Sequence, residues 1–287
     1  MEESDWLAAC RRIAAGVADE LARRPTTRER AVAVGRGEGG DETLAIDAAA
    51  EAVIFGELER MHAAGARFQA VSEERGEVDF GGGAGDPRVV IDPLDGSLNA
   101  KRGLAPYTIS IAVADGPTMA DVRFAYVYDL VHAEEWTARS GGGAFRDGVA
   151  IDVAGAERRN SRGQLEIVAV ELVRPRRLGV AAAQLAAGVH RMRTFGSIAY
   201  SLCQLAGARI DGVVTLWGTR SVDAAAGQLI VREAGGLVAF AGAVAGPLEM
   251  QLDLVARAQL VAALTPAGLE ALAAIPAEDG ALRSSQR

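Results

Sequence analysis

The segment Asp92-Pro93-Leu94-Asp95-Gly96-Ser97 closes an apolar, β-branched run, Arg88-Val89-Val90-Ile91. Proline pins the turn that follows, so both aspartates and one backbone carbonyl are able to converge on a single point. Oxygen donors at such spacing suit a hard cation. Magnesium takes octahedral oxygen ligands at ~2.0–2.1 Å, commonly a few carboxylates with water and substrate phosphate. The same six residues also make an ordinary solvated turn, because Asp-Pro and Asp-Gly are frequent turn dipeptides. Upstream, Glu73 and Glu74 end the short strand Phe68-Gln69-Ala70-Val71-Ser72, and adjacent strand residues face opposite sides, so only one of them faces the aspartate turn. Glu73 is the choice.

Asp223-Ala224-Ala225-Ala226-Gly227 opens a second candidate site at the start of a helix made buried by Leu229, Ile230 and Val231 and ended by Gly235. Asp223 is expected at the N-cap, where an aspartate commonly satisfies free amides without any catalytic part. Three alanines and a glycine beside it would leave room for a ligand, and a helix N-terminus favours an anion. Thr43 and Asp47, one turn apart on a further helix, would share a face. Ser97 offers either a phosphate-binding hydroxyl or a turn residue. Arg174, Arg176, Arg177 and Arg220 offer charge to an anionic substrate or to solvent.

These residues need elements to position them. Apolar residues recurring through Trp6, Cys10, Ile13, Val17 and Leu21 predict a helix ended near Pro25. Residues 26–40 read as loop, followed by a helix from about Thr43 to Gly65 that carries Ile46, Ala50, Val53, Ile54 and Leu58 inward. Strands over Thr108 to Val113, Val122 to Tyr128 and Glu134 to Ala138 read as an antiparallel meander. The later chain alternates: strand from Leu165, helix from Leu178, strand from Arg191, helix Ile198 to Ala206, strand from Ile210, helix from Asp223, strand from Leu237. That alternation marks an α/β layer. Apolar elements Leu254 to Ala263 and Pro266 to Ala274 complete it. The expected organisation is an α+β half over residues 1–155 with the antiparallel sheet and first acidic motifs, an α/β half over 156–275 with the second motif, and a disordered tail over 276–287.

Composition narrows the function classes. Of 287 residues, 49% are hydrophobic and 24% charged, which is globular and excludes a disordered or collagenous chain. A net charge of −8 excludes a basic footprint for nucleic acid or anionic membrane and makes cations the better partners. Cys10 and Cys203 lie far apart in apolar contexts, as buried thiols of a reduced compartment do. The acidic start lacks a basic leader and no apolar run reaches the ~18–20 residues needed to span a bilayer, so a soluble, cytoplasmic protein is expected. His62, His132 and His190 share no metal-like spacing. Serine-hydrolase elbows and Walker glycine loops are missing from the sequence.

Taken jointly, Thr43 with Asp47, Ser72-Glu73-Glu74, the run from Asp92 to Asn99, and Val222-Asp223 through Gly227 to Arg232-Glu233-Ala234-Gly235-Gly236 resemble the inositol monophosphatase family of magnesium-dependent, lithium-sensitive sugar phosphatases. The similarity covers roughly residues 5 to 274. It implies a layered αβαβα sandwich and a homodimer. The stretch from Asn99 to Tyr107 looks most like archaeal and bacterial members acting on both inositol phosphates and fructose 1,6-bisphosphate.

Carried over by position, the resemblance makes Glu73, Asp92 and the carbonyl of Leu94 ligands of a first Mg²⁺, and Asp92, Asp95 and Asp223 those of a second, with Glu73 helping to hold a weaker third. Asp47 and Ser97, where the family usually has threonine, would orient and deprotonate the attacking water. The amides of Gly96 and Ser97 would hold the phosphate. Ions ~3.5–4 Å apart strengthen the nucleophile and neutralise the leaving alkoxide. The family's animal enzymes place a glutamate on the sugar hydroxyls where this chain has Thr215-Leu216-Trp217-Gly218, and Val222 replaces the usual tryptophan. Arg220 resembles the dual-specificity arrangement that pairs with a second phosphate. Rival readings are a 3′-phosphoadenosine 5′-phosphate or histidinol-phosphate phosphatase, and a catalytically idle homologue that binds metal or anions.

Overall fold

The protein is seen here as a computed structural model, which describes residues 3–38, 42–83, 85–241 and 246–277. The first periodic stretch forms α1 (Glu3–Arg23), with Trp6, Cys10, Ile13, Val17 and Leu21 buried. Residues expected to be loop instead hold α2 (Thr27–Arg30) and β1 (Ala33–Arg36), which pairs with β2 (Glu42–Leu44). The reason for α2 is a capping box: Glu29 N–H donates to Thr26 Oγ1, and Thr26 N–H to Glu29 Oε2 at 3.0 Å. Next comes α3 (Ala45–Ala63), ended by Gly65 at φ +99°. Thr43 therefore lies in the hairpin before the helix and shares no helical face with Asp47; its side chain is outside the described residues.

A larger sheet follows: β3 (Phe68–Ser72), β4 (Gly76–Phe80), β5 (Arg88–Asp95), then helix α4 (Ser97–Arg102), β6 (Thr108–Ala114), β7 (Val122–Asp129), β8 (Glu134–Arg139), β9 (Gly143–Arg146) and β10 (Val149–Ile151). The strand order is β10-β9-β8-β7-β6-β5-β3-β4. The meander from β6 to β8 is antiparallel as expected. Short, partly exposed β4, β9 and β10 extend the sheet beyond it.

One pairing positions the site. β3 and β5 run parallel, Ser72 opposite Ile91, so the next residues, Glu73 just past β3 and Asp92 within β5, stand at neighbouring positions. β5 does not stop at Asp92. It continues to Asp95 through a register shift, with Asp92 opposite Ser110 and Asp95 opposite Thr108. Three steps along β5 match two along β6, a bulge that overrides strict alternation, and Pro93 sits inside it where no amide is needed.

The later chain forms β11 (Leu165–Glu171), α5 (Pro175–Gly188), β12 (Val189–Arg193), α6 (Ile198–Ala206), β13 (Gly212–Thr215), α7 (Ser221–Glu233), β14 (Leu237–Ala241), β15 (Gln259–Ala263) and α8 (Pro266–Ala273). Its sheet has the order β12-β11-β13-β15-β14, parallel from β12 to β13 and antiparallel beyond.

Three apolar clusters stack these elements into αβαβα layers. Phe68, Ile91, Ile111 and Tyr126 meet α1 and α3 on one face of the larger sheet. Val71, Val90 and Val127 on its other face join Leu202 of α6, Leu229 of α7 and Ala169, Val213 and Leu260 of the smaller sheet. Val168, Val214 and Val261 face α5 and α8 through Leu185 and Leu272. The middle core therefore draws on residues from both sides of the expected boundary at 155. Among the described residues no helix is long and apolar enough to cross a membrane. The tail expected to be disordered falls, from residue 278, outside the described residues.

Candidate active site

Glu73, Asp92 and Asp223 each bring a carboxylate oxygen to within 4.8 Å of the others. Two come from neighbouring positions, Glu73 just past β3 and Asp92 inside β5; the third comes from the first turn of α7, stacked between the sheets. Asp223 is not the N-cap expected from the sequence. That place is Arg220's, and Asp223 at N3 reaches back so that Oδ2 accepts the Arg220 N–H at 3.3 Å and the Thr219 hydroxyl at 3.3 Å. The small residues after it serve packing, not ligand access. Ala224, Ala225 and Ala226 are buried, and a Cβ on Gly227 would lie 2.7 Å from Leu202 Cδ1, so glycine lets α6 and α7 touch.

Asp92 turns Oδ1 to the Leu94 N–H at 3.0 Å. Asp95 faces α6: its Oδ2 accepts from Ser197 Oγ at 2.7 Å and from the Ala199 N–H at 2.6 Å. Behind this clasp, buried Glu171 accepts from the Phe195 and Gly196 amides and from Ser201 Oγ, while Asn99 Nδ2 donates to the carbonyls of Pro106 and Phe195. Ser197, Glu171 and Thr219 carry no candidate role in the sequence, and Asn99 appears there only as the end of the aspartate motif. Gly196-Ser197 before an apolar helix was the one local signal, that of an N-cap serine.

Asp92 is 2% exposed and Asp223 5%. Burial, then Glu73, Asp95 and Asp223 in turn, push the Asp92 carboxyl well above the usual carboxylate range. Asp95 is raised in the same way, first by burial and then by Asp223. Such a site is short of positive charge. Part of the deficit is met by Arg220, whose Nη1 lies 2.5 Å from Glu73 Oε1 and whose Nε lies 3.2 Å from Asp223 Oδ1. Two of them buried and one half-buried, mutually repelling and all-oxygen, the donors fit a hard divalent cation.

Asp47 stands at N3 of α3, where Oδ2 accepts the Leu44 N–H at 3.1 Å, and its Oδ1 is buried without a hydrogen-bond partner. Burial, with Glu74 adding to it, pushes its carboxyl up to about 7. Ser97 begins α4 after Gly96, which sits at φ +97° with Pro106 O 2.9 Å from where a Cβ would be. Only glycine fits there. Ser97 and Asp47, expected to act on one water, are not hydrogen-bonded to each other. Glu74 leaves the cluster, its carboxylate close to Gly37. Arg177 lies over the Trp217 ring at 3.9 Å and donates to the Leu172 carbonyl. His132 Nδ1 pairs with buried Asp129 at 2.7 Å, away from the cluster.

The model of the inositol monophosphatase family matches residues 2–276. A protein of Archaeoglobus fulgidus named fructose-1,6-bisphosphatase/inositol-1-monophosphatase is 35% identical over 241 residues, covering 83% of this chain and 85% of its own. A Haemophilus influenzae protein named Nus factor SuhB is 33% identical over 201 residues, 69% of this chain and 71% of its own. The crystal structure of an inositol monophosphatase-fructose 1,6 bisphosphatase superposes with a TM-score of 0.77 at 23% identity, covering 94% of this chain and 98% of that one.

Proposed function

The chain belongs to the inositol monophosphatase family, a phosphatase of the kind that acts on phosphorylated sugars, and on that premise we propose that it is a magnesium-dependent phosphomonoesterase for inositol 1-phosphate, fructose 1,6-bisphosphate or both. The observation that carries the metal dependence is the convergence of Glu73, Asp92 and Asp223 within 4.8 Å in a buried, charge-deficient site.

Glu73, Asp92, Asp95, Asp223 and the carbonyl of Leu94 are the groups that would hold two or three Mg²⁺ ions. When bound, magnesium neutralises charge on the leaving alkoxide and makes water more acidic. Asp47 has the proton affinity and the unpartnered buried oxygen of a general base, and takes the water's proton while the Ser97 hydroxyl orients that water. The amides of Gly96 and Ser97 receive the phosphate oxygens, and the Gly96 conformation lets the backbone come close. Arg220 pairs with the second phosphate of a bisphosphate. Thr215-Leu216-Trp217-Gly218 offers no carboxylate for sugar hydroxyls, which weighs against inositol itself as the substrate. The working form is a homodimer, checked by light scattering.

Phosphate release from about a dozen phosphate esters, with Mg²⁺ and with chelator, tests this reading. Turnover of sugar phosphates that chelation abolishes is expected. Turnover undiminished by chelator sinks the metal dependence, and no turnover of any ester despite bound Mg²⁺ leaves the idle, binding-only homologue that a relative named as a Nus factor suggests.

A further inference from the structure

Arg220 occupies an unusual place for a structural salt bridge. Its guanidinium reaches Glu73 Oε1 through Nη1 at 2.5 Å and both oxygens of Asp223 through Nε at 3.2 and 3.4 Å. It also opposes the rise of the Asp92 carboxyl. One positive group thus addresses all three acids of the cluster. Its backbone is held separately, by the N–H to Asp223 Oδ2, and its side chain is 19% exposed. The guanidinium can therefore leave toward solvent while the helix start stays in place. Arg257 also feels the charges of Arg220, Asp223 and Glu73, but its Nη1 donates to the carbonyls of Leu254 and Ala256.

We propose that Arg220 is a tethered counter-cation of the acidic cluster: its guanidinium bridges Glu73 and Asp223 when no divalent ion is bound, must leave both for one to enter, and so sets how tightly the ion is held. The inference rests on the metal-dependent reading above. The physical ground is competition for the same lone pairs. A magnesium–oxygen contact of ~2.0–2.1 Å needs carboxylate oxygens that the guanidinium now engages, and two cations on one carboxylate repel. The apparent affinity for the ion is lowered by the fraction of molecules in which Arg220 is seated. Arg220 is then a positioning residue for the unliganded site, and its removal should strengthen binding of the ion while weakening the unliganded fold.

The test is calorimetric titration of chelator-stripped wild type and Arg220→Gln with MgCl2 alone, without substrate. The variant is expected to bind Mg²⁺ about tenfold more tightly, within the range usual for coupled binding events, and to melt lower than wild type in chelator. An equal or weaker affinity in the variant overturns the proposal. Wild type that binds Mg²⁺ beside an unchanged variant refutes this inference alone; failure of both to bind refutes it together with the metal-dependent reading. A second measurement needs no altered fold: the Arg220 Nε–Hε NMR signal of wild type, assigned by its loss in Arg220→Lys, should lose its protection from solvent exchange as Mg²⁺ is added. A signal unmoved at saturation overturns the proposal.

Discussion

Ser197 donates its hydroxyl to Asp95 at 2.7 Å, and with the Ala199 amide this bond ties the bulged end of β5 to the first turn of α6. A buried carboxylate held by two donors loses one in Ser197→Ala. Stability should fall by roughly 1–3 kcal/mol. Mg²⁺ affinity should fall by about 10- to 100-fold, as when a group orienting a metal ligand is removed. Thermal melting and calorimetric titration give the two numbers; an unchanged affinity would detach Asp95 from the ion.

Asp92→Asn should separate stability from function. The Asp92 carboxyl is raised by burial and by three acidic neighbours, so removing its charge relieves repulsion in the cation-free protein. The variant is expected to melt higher than wild type in chelator and to lose at least about a hundredfold in kcat with Mg²⁺, the cost of losing a shared ligand. A lower melting temperature in chelator contradicts the charge argument.

Divalent cations should stabilise the wild type by mass action. At a free concentration about 100 times Kd the gain is ~2.7 kcal/mol, read as a rise in melting temperature that chelator reverses. Sodium chloride at matched ionic strength should not reproduce it.

The Asp47 carboxyl, raised to about 7 chiefly by burial, gives a pH dependence with a definite sign. A group that binds protons more strongly folded than unfolded stabilises below its unfolded value and loses that contribution as pH rises through the folded one. In chelator, Asp47→Asn should therefore gain stability over wild type at pH 8, by roughly 1–3 kcal/mol, and match it near pH 4. With Mg²⁺ present the same variant should lose turnover. A gain that is the same at both pH values would show that the charge is not the cause.

Gly227→Ala places a Cβ 2.7 Å from Leu202 Cδ1 and 2.8 Å from its Cβ. Overpacking of this kind costs about 1–3 kcal/mol. Denaturant unfolding should register it, and a neutral result would mean that α6 and α7 separate more readily than their contact suggests.

Elements with signals at both ends were legible in the sequence. Helix α6 spans Ile198–Ala206 as expected, because Ser197 caps its start and Gly207 follows its last turn. β4, β9 and β10 were not, since each is short and owes its strand form to a neighbour's free edge rather than to its own apolar alternation. Within the loop expected over 26–40, the capping box of Thr26 with Glu29 turns Thr27–Arg30 into a helix. Asp223 sits three positions further into its helix than the expected N-cap, because an aspartate at N3 reaching back looks, in one dimension, the same as one at the N-cap.

The sequence by itself determined which acids are available and the strand ends or helix starts that carry them, because alternation, proline and small-residue patterns act over a few neighbours. Tertiary structure decided the rest: that Glu73 and Asp92 stand side by side through a parallel pairing, that Asp95 is tied through one oxygen to Ser197 and Ala199 of α6, and that Arg220 lies on the carboxylates. Those outcomes depend on layers stacked across most of the chain's length, where burial turns modest charges into strong mutual repulsion and makes the nearest guanidinium their partner.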